Sequence, residues 1–255
     1  VLSSTATEFR DLDWFLKHKK EDEHVNIKNI TNDYGVLVLA GPKSREVLSK
    51  LTNEDLSNKN FPWLKAKEIN IAGMQVKALR INYIGELGWE LHHSFKDMEN
   101  LYDKLMNAGK KYNISNFGTY AVNSLRLEKA YKGWGSELTG EISLVESGME
   151  RFYNLNKKDK FIGSDALKEK ISKGIEIKIV YLEVDTEDAD PLGNEPVYFD
   201  NKIVGVVTSG GYGFRVKKSL AFAYVNVSVS GRADLPLINA FINFESNFNC
   251  PNLNC

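Results

Sequence analysis

The chain has 255 residues, 42% of them hydrophobic and 26% charged, ordinary globular proportions that exclude intrinsic disorder. Its 33 basic and 34 acidic residues leave a net charge of -1, so no bulk cationic field exists to hold nucleic acid or anionic lipid. No run of about 18 apolar residues offers a membrane span. The opening Val-Leu-Ser-Ser-Thr lacks the basic and apolar segments of a secretory signal. Val1 in place of Met predicts a fragment or a trimmed chain.

Thr5 to Glu8 has capping-box spacing, and Phe9, Leu12, Phe15 and Leu16 follow at helical intervals, which predicts a first helix. Gly35 to Ala40 reads as a short buried strand, ended by Gly41-Pro42, and 43–51 as a helix burying Val47, Leu48 and Leu51. Two strands follow at about 67–71 and 75–83, joined through Gly73. Ser94 with Asp97 is placed to cap a helix with Met98, Leu101, Leu105 and Ala108 inward, and Gly109 sits where a left-handed terminator belongs. A helix over 119–130 is expected to turn Val122 and Leu125 inward.

A short helix over 164–171 precedes the linker Lys173-Gly174. Beyond it Ile175, Ile177, Ile179 and Tyr181 alternate with polar neighbours, the period of a half-buried strand. Strands at 197–199 and 203–208 flank Asp200-Asn201, a tight-turn signal, and 220–225 reads as another strand. Strands and helices alternate without a Gly-rich phosphate loop, which predicts an α+β fold rather than a doubly wound sheet. The second part has the spacing of a small barrel or sandwich. The expected domains are 1–173 and 174–255. Two cysteines, Cys250 and Cys255, and four histidines form no metal-ligand pattern, so no metal site is expected.

Two segments carry chemistry. Tyr83 to Glu90 (YIGELGWE) places two glycines, two carboxylates and aromatics in eight residues. A carboxylate accepts two parallel hydrogen bonds from an N–H/NH2 edge and an aromatic packs on a flat ring, which suits an amide-rich heterocycle. The plainer reading is a β-bulge with exposed acids. Arg126, between Leu125 and Leu127, either presents its guanidinium fork to a ligand carboxylate or pairs with an internal acid.

Together these stretches resemble the folate-binding aminomethyltransferase (glycine-cleavage T-protein) family. The likeness is nearest to the folate-binding C-terminal half of dimethylglycine and sarcosine dehydrogenases. It rests on Gly41-Pro42 with Ser44-Arg45, Asp55-Leu56-Ser57-Asn58, Tyr83 to Glu90, Ser124 to Glu128, Trp134-Gly135, Asp159 to Gly163, and Thr208 to Gly213. The resemblance implies a T-protein-like folate-binding domain lacking its N-terminal part, then a small C-terminal β-barrel. It also implies a tetrahydrofolate site in a central cavity. There Glu90 would take the pterin edge, Tyr83 line the channel, Arg126 hold a polar end of the folate, Glu86 brace the turn, and Tyr212 close the channel from the barrel.

The implied activity is tetrahydrofolate-dependent one-carbon transfer from a small N-methylated amine or an aminomethyl donor, with a lipoyl carrier protein as a further partner. FAD would belong to a separate upstream module of a dehydrogenase parent, and the family's catalytic Asp would lie upstream of Val1, so no catalytic residue is assigned. Ile84, where T-proteins usually carry Thr, points to the dehydrogenase-linked branch. A stand-alone aminomethyltransferase is the alternative enzyme. A non-catalytic iron–sulfur assembly factor is the alternative from another class, although no Cys precedes residue 250. The implied compartment is cytoplasmic in a bacterium and the mitochondrial matrix in a eukaryote. The tail after Gly231 departs from the barrel ending that the family leads one to expect.

Overall fold

The computed structural model describes residues 1–231 and the strand 241–244. The Cys250/Cys255 tail lies outside the described residues. The described residues form two compact units, one of residues 1–82 and 86–116, the other of residues 83–85, 117–231 and 241–244.

The first unit begins with α1 (Glu8–His18). Its N-cap is Thr7, whose hydroxyl donates to Asp11 instead of closing the expected Thr5–Glu8 box. β1 (Tyr34–Ala40), α2 (Ser44–Leu48), β2 (Ala66–Ile71), β3 (Met74–Leu79), β4 (Gly88–Ser94) and α3 (Met98–Gly109) follow. The strands form an antiparallel sheet in the order β1-β4-β3-β2. Ala72 (φ 49°) and Gly73 (φ 92°) make the two-residue turn between β2 and β3, both left-handed as such a hairpin needs.

β1 is an edge strand with only one face covered. Gly35 and Leu39 are buried, whereas Val36 and Val38 are exposed. The wholly buried strand expected from its apolar run is therefore corrected. β4 is a strand that the turn-like reading of 83–90 did not foresee. Trp89, Leu91 and His93 alternate inward, and Glu90 and His92 take the opposite face. Trp89 is fully buried, edge-on to Phe61 with ring centroids 6.1 Å apart, at the centre of a core with Ile69, Ile71, Leu91, Leu101 and Leu105.

Gly109 is not the left-handed terminator. It has helical φ, and a Cβ there would lie 2.6 Å from the Ile114 side chain, so its missing side chain makes room for packing. The left-handed residue is Asn113 (φ 56°), after one further turn.

The second unit holds α4 (Thr119–Glu128), α5 (Ser164–Lys173), β5 (Ile177–Asp185), β6 (Pro196–Phe199), β7 (Lys202–Gly213), β8 (Lys218–Asn226) and β9 (Phe241–Phe244). The strands form an antiparallel sheet in the order β6-β7-β8-β5-β9. Asp200 (φ 47°) and Asn201 (φ 60°) make the foreseen hairpin turn. β8 is buried on both faces. Ala221, Ala223 and Val225 join Val180, Leu182 and Val207 in one cluster, and Leu220 and Phe222 join Leu127 and Ala130 in another. α4 buries Ser124, Arg126 and Leu127, not the expected Val122 and Leu125.

Trp89 combines full burial with an aromatic neighbour, so Trp89→Ala should destabilise the first unit by about 3–5 kcal/mol through lost transfer energy and a residual cavity. Urea unfolding followed by circular dichroism would measure it. A loss below about 1 kcal/mol would show that this ring is not the centre of the core.

Candidate functional site

In the second unit the polar centre is built around Arg126 and Glu137, whose side chains are 5% and 0% exposed. A guanidinium has five N–H donors. Here Nε and Nη2 donate to Asn123 Oδ1 at 3.0 and 2.8 Å, Nη1 to the Tyr131 carbonyl at 3.0 Å and Glu137 Oε2 at 2.9 Å, and Nη2 to Ser209 Oγ at 2.8 Å. All five donors are engaged within the protein. Of the two readings open in the sequence, Arg126 takes the internal ion pair, and no donor remains for a folate carboxylate.

Glu137 is equally saturated. Oε2 accepts from the Gly133 amide at 2.7 Å, Ser136 Oγ at 3.0 Å and Arg126, while Oε1 accepts from Thr208 Oγ1 at 2.7 Å and Ser209 Oγ at 2.5 Å. Burial pushes its carboxyl up, but hydrogen bonds from Ser209, Gly133 and Thr208 and the Arg126 charge outweigh that and hold it below the usual carboxylate value.

Two successive strand residues normally point to opposite faces. The register of β7 on β8 passes from Val207↔Ala223 to Ser209↔Phe222, leaving Thr208 as the extra residue of a bulge. That bulge lets adjacent hydroxyls meet one carboxylate oxygen. Ser124 Oγ donates to the Tyr212 carbonyl at 2.6 Å, and Asn123 Nδ2 to the Gly210 carbonyl at 3.1 Å, so α4 is stitched along the same stretch of β7.

Tyr83 belongs to this unit too. Its ring packs on Tyr131 with centroids 6.3 Å apart and stays half-exposed. A Cβ on Gly133 would come within 3.2 Å of its hydroxyl and 2.8 Å of Ser136 Oγ, so the glycine leaves room for both side chains as they stand. Burial raises the phenol's pKa, with Arg126 pulling it down and Glu137 pushing it up, so Tyr83 is a neutral donor and acceptor. Tyr212 stands apart from Arg126's donors. Its ring meets Phe214 edge-on at 5.1 Å and borders a cavity of about 700 Å³ with Glu183, Asp185, Lys217 and Lys218 among its walls.

The two acids lie in the first unit. Glu86 is tied by its backbone to Asn82, whose amide donates to the Glu86 carbonyl and whose Oδ1 accepts from the Glu86 amide at 3.3 Å. Glu90 projects from the non-core face of β4, partly exposed, with Oε2 3.1 Å from His92 Nε2. Its second oxygen has no hydrogen-bond donor among the described residues.

Sequence reasoning missed Glu137, Thr208 and Ser209 as one unit. Their signal was present, since Glu137 follows the quoted Trp134-Gly135 by two residues and the hydroxyls open the quoted Thr208–Gly213 loop. Among the described residues no group of three or more His, Cys, Asp or Glu is arranged to hold a metal, and no helix is long and apolar enough to cross a membrane.

Comparison with known proteins accounts for this architecture. Residues 1–157 match the GCVT N-terminal domain and residues 178–236 match the glycine cleavage T-protein C-terminal barrel domain. The chain belongs to the glycine cleavage T-protein family. It is 47% identical to the mitochondrial dimethylglycine dehydrogenase of Homo sapiens over 90% of this chain and 27% of that protein. It is 34% identical to the aminomethyltransferase of Thermoanaerobacter pseudethanolicus over 85% of this chain and 58% of that one. Among solved structures, the glycine cleavage system aminomethyltransferase T from Bartonella henselae superposes with a TM-score of 0.72 at 24% identity, covering 84% of this chain and 58% of that chain. That likeness shows the shared fold. The chain spans about a quarter of the length of the dimethylglycine dehydrogenases that it matches.

Two outcomes follow from the buried pair. Arg126→Met strands a buried carboxylate and should cost about 3–5 kcal/mol in urea unfolding, whereas Arg126→Met with Glu137→Leu should regain about half or more of that loss. The Glu137 carboxyl is held below its ordinary 4.5. Its contribution is therefore complete above that pH and is lost as pH falls through the depressed folded-state value. Wild-type stability should decline on acidification below about pH 4.5, and Glu137→Gln should flatten that part of the profile. Identical profiles for the two proteins would contradict the assignment.

Proposed function

We propose that this chain is the tetrahydrofolate-handling portion of a one-carbon transfer enzyme of the dimethylglycine or sarcosine dehydrogenase type. The observation that carries the reading is the pair of T-protein domain matches in one chain, joined to the 47% identity with a dimethylglycine dehydrogenase. The lower identity to a stand-alone aminomethyltransferase favours the dehydrogenase branch.

The residues suit a folate in two respects and depart from expectation in a third. Glu90 offers a partly exposed carboxylate with one oxygen open, and the oxygen beside His92 keeps a second lone pair, so both can accept from a pterin edge. Tyr83 offers a half-exposed neutral phenol on an aromatic base formed by Tyr131. Arg126 offers nothing to a ligand directly, and its part in the proposal is to position the 131–137 segment. Glu86 serves the turn through its backbone, and Tyr212 keeps a place at the barrel side.

Bound tetrahydrofolate would supply the nitrogens that accept the one-carbon unit. The amine or aminomethyl donor, a lipoyl carrier, an FAD module elsewhere in the parent, and the mitochondrial or bacterial setting are parts of the same proposal. An iron–sulfur assembly role is disfavoured by the absence of cysteine before residue 250.

Calorimetry with folinic acid, FAD and NAD should show binding of folinic acid alone. Glu90→Gln should weaken it about ten- to a hundredfold, the worth of charge-assisted hydrogen bonds, while Glu86→Gln should leave it within about threefold. Heat from FAD with none from folinic acid, or equal losses in the two variants, would overturn the reading.

A further inference from the structure

A polar side chain withdrawn from water ordinarily has a hydrogen-bond partner, and each exception asks for an explanation. Ser219 is such an exception: it is 5% exposed, and its hydroxyl has no partner among the described residues. It stands near the start of β8, opposite Val184 of β5 on one side and Tyr212 of β7 on the other. Residues directly opposed on neighbouring antiparallel strands share one face of the sheet. All three border the cavity of about 700 Å³ at this end of the sheet, so the hydroxyl is aimed into it.

The cavity is strongly acidic. β5 ends in Asp185, and the segment after it adds Glu187, Asp188 and Asp190. None of these four carboxylates has an ion pair or a hydrogen bond among the described residues. Lys218 is paired with Glu183, which leaves Lys217 as the one uncommitted cation among the described residues that line the cavity. The acidic wall is held in place at both ends. Thr186 Oγ1 donates to the Ala189 carbonyl at 2.7 Å, and a Cβ on Gly210 would lie 2.3 Å from the Pro191 carbonyl oxygen, so Pro191 seats directly on β7.

This chemistry suits an organic cation. An anion, the glutamyl end of a folate included, would meet four like charges. Among the described residues no group of three or more acids is arranged to hold a metal, and the volume is that of a site for a small organic molecule. An ammonium brings three N–H donors, enough for carboxylates and the Ser219 oxygen together, and Tyr212 offers an exposed ring to an alkyl chain.

We propose that this cavity binds an alkylammonium group, with Ser219 as its neutral acceptor and the acids of 185–190 as its counter-charge. The inference stands independently of the folate reading. Two sources share the chemistry, a free alkyl amine or diamine and the lysine side chain of a polypeptide.

The isotope-labelled chain would be titrated with pentylamine, cadaverine and acetyl-lysine methylamide, and followed by amide NMR spectra. Tetramethylammonium, succinate and magnesium chloride would serve as controls. Primary ammonium compounds should shift the amides of 183–190 and 217–219, with an affinity that falls as salt is raised. Tetramethylammonium has no N–H to donate and should bind about tenfold more weakly. A response to the free amines alone, or to the lysine compound alone, would support the site and name its source.

Ser219→Ala should weaken binding about tenfold and leave thermal stability unchanged or higher, because an orphaned hydroxyl is removed. Asp188→Asn with Asp190→Asn should weaken binding about three- to tenfold. No shift with any primary amine, shifts confined to other residues, or a stronger response to magnesium or succinate would overturn the proposal. So would unchanged affinity in a folded Ser219→Ala. Should that variant not fold, the Asp pair decides, and unchanged affinity there overturns the site.

Discussion

A guanidinium and a carboxylate withdrawn from water cost several kcal/mol each unless their hydrogen bonds are replaced in full. Arg126 and Glu137 meet that condition with five contacts on each side, drawn from α4, the 131–137 segment and β7. Much of the polar geometry of the second unit is set by this requirement. The Gly133 amide is aimed by it, the Tyr131 carbonyl is held by it, and two hydroxyls of β7 are committed to it. Ser209 accepts from Arg126 and donates to Glu137, so the pair is closed into a ring in which each bond polarises the next.

That constraint separates two kinds of charged residue. Those at the centre are saturated by the protein and act through what they position. In the first unit, by contrast, Glu90 keeps one carboxylate oxygen that has no donor among the described residues. A group already engaged within the protein has little hydrogen-bonding capacity left to exchange for water.

Much of the fold was legible in local patterns. Helical spacing located α3 and α5, and Gly73 and Asp200-Asn201 marked their turns because left-handed backbone has few tolerant residues. β4 escaped because His93 occupies an inward position, so Trp89, Leu91 and His93 do not read as an apolar alternation. Gly109 misled because the same residue type serves a helix end and a tight packing contact. The partner of Arg126 was illegible for a different reason. Glu137 is 11 residues away and Ser209 is 83 away, distances at which no helical or strand period applies.

The bulge at Thr208 makes residue count part of the design. With one residue deleted there, β7 would still zip onto β8 with ordinary ladder bonds, but Thr208 and Ser209 could no longer both face Glu137. The slipped hairpin would bury a carboxylate with two acceptor positions empty, a penalty that ladder bonds cannot offset because both registers have them. The buried acid therefore acts as a proofreader of strand alignment: it rewards one register among several that the backbone alone would accept. Loops of equal composition but different length in this stretch would fold as strands and still fail to assemble the unit.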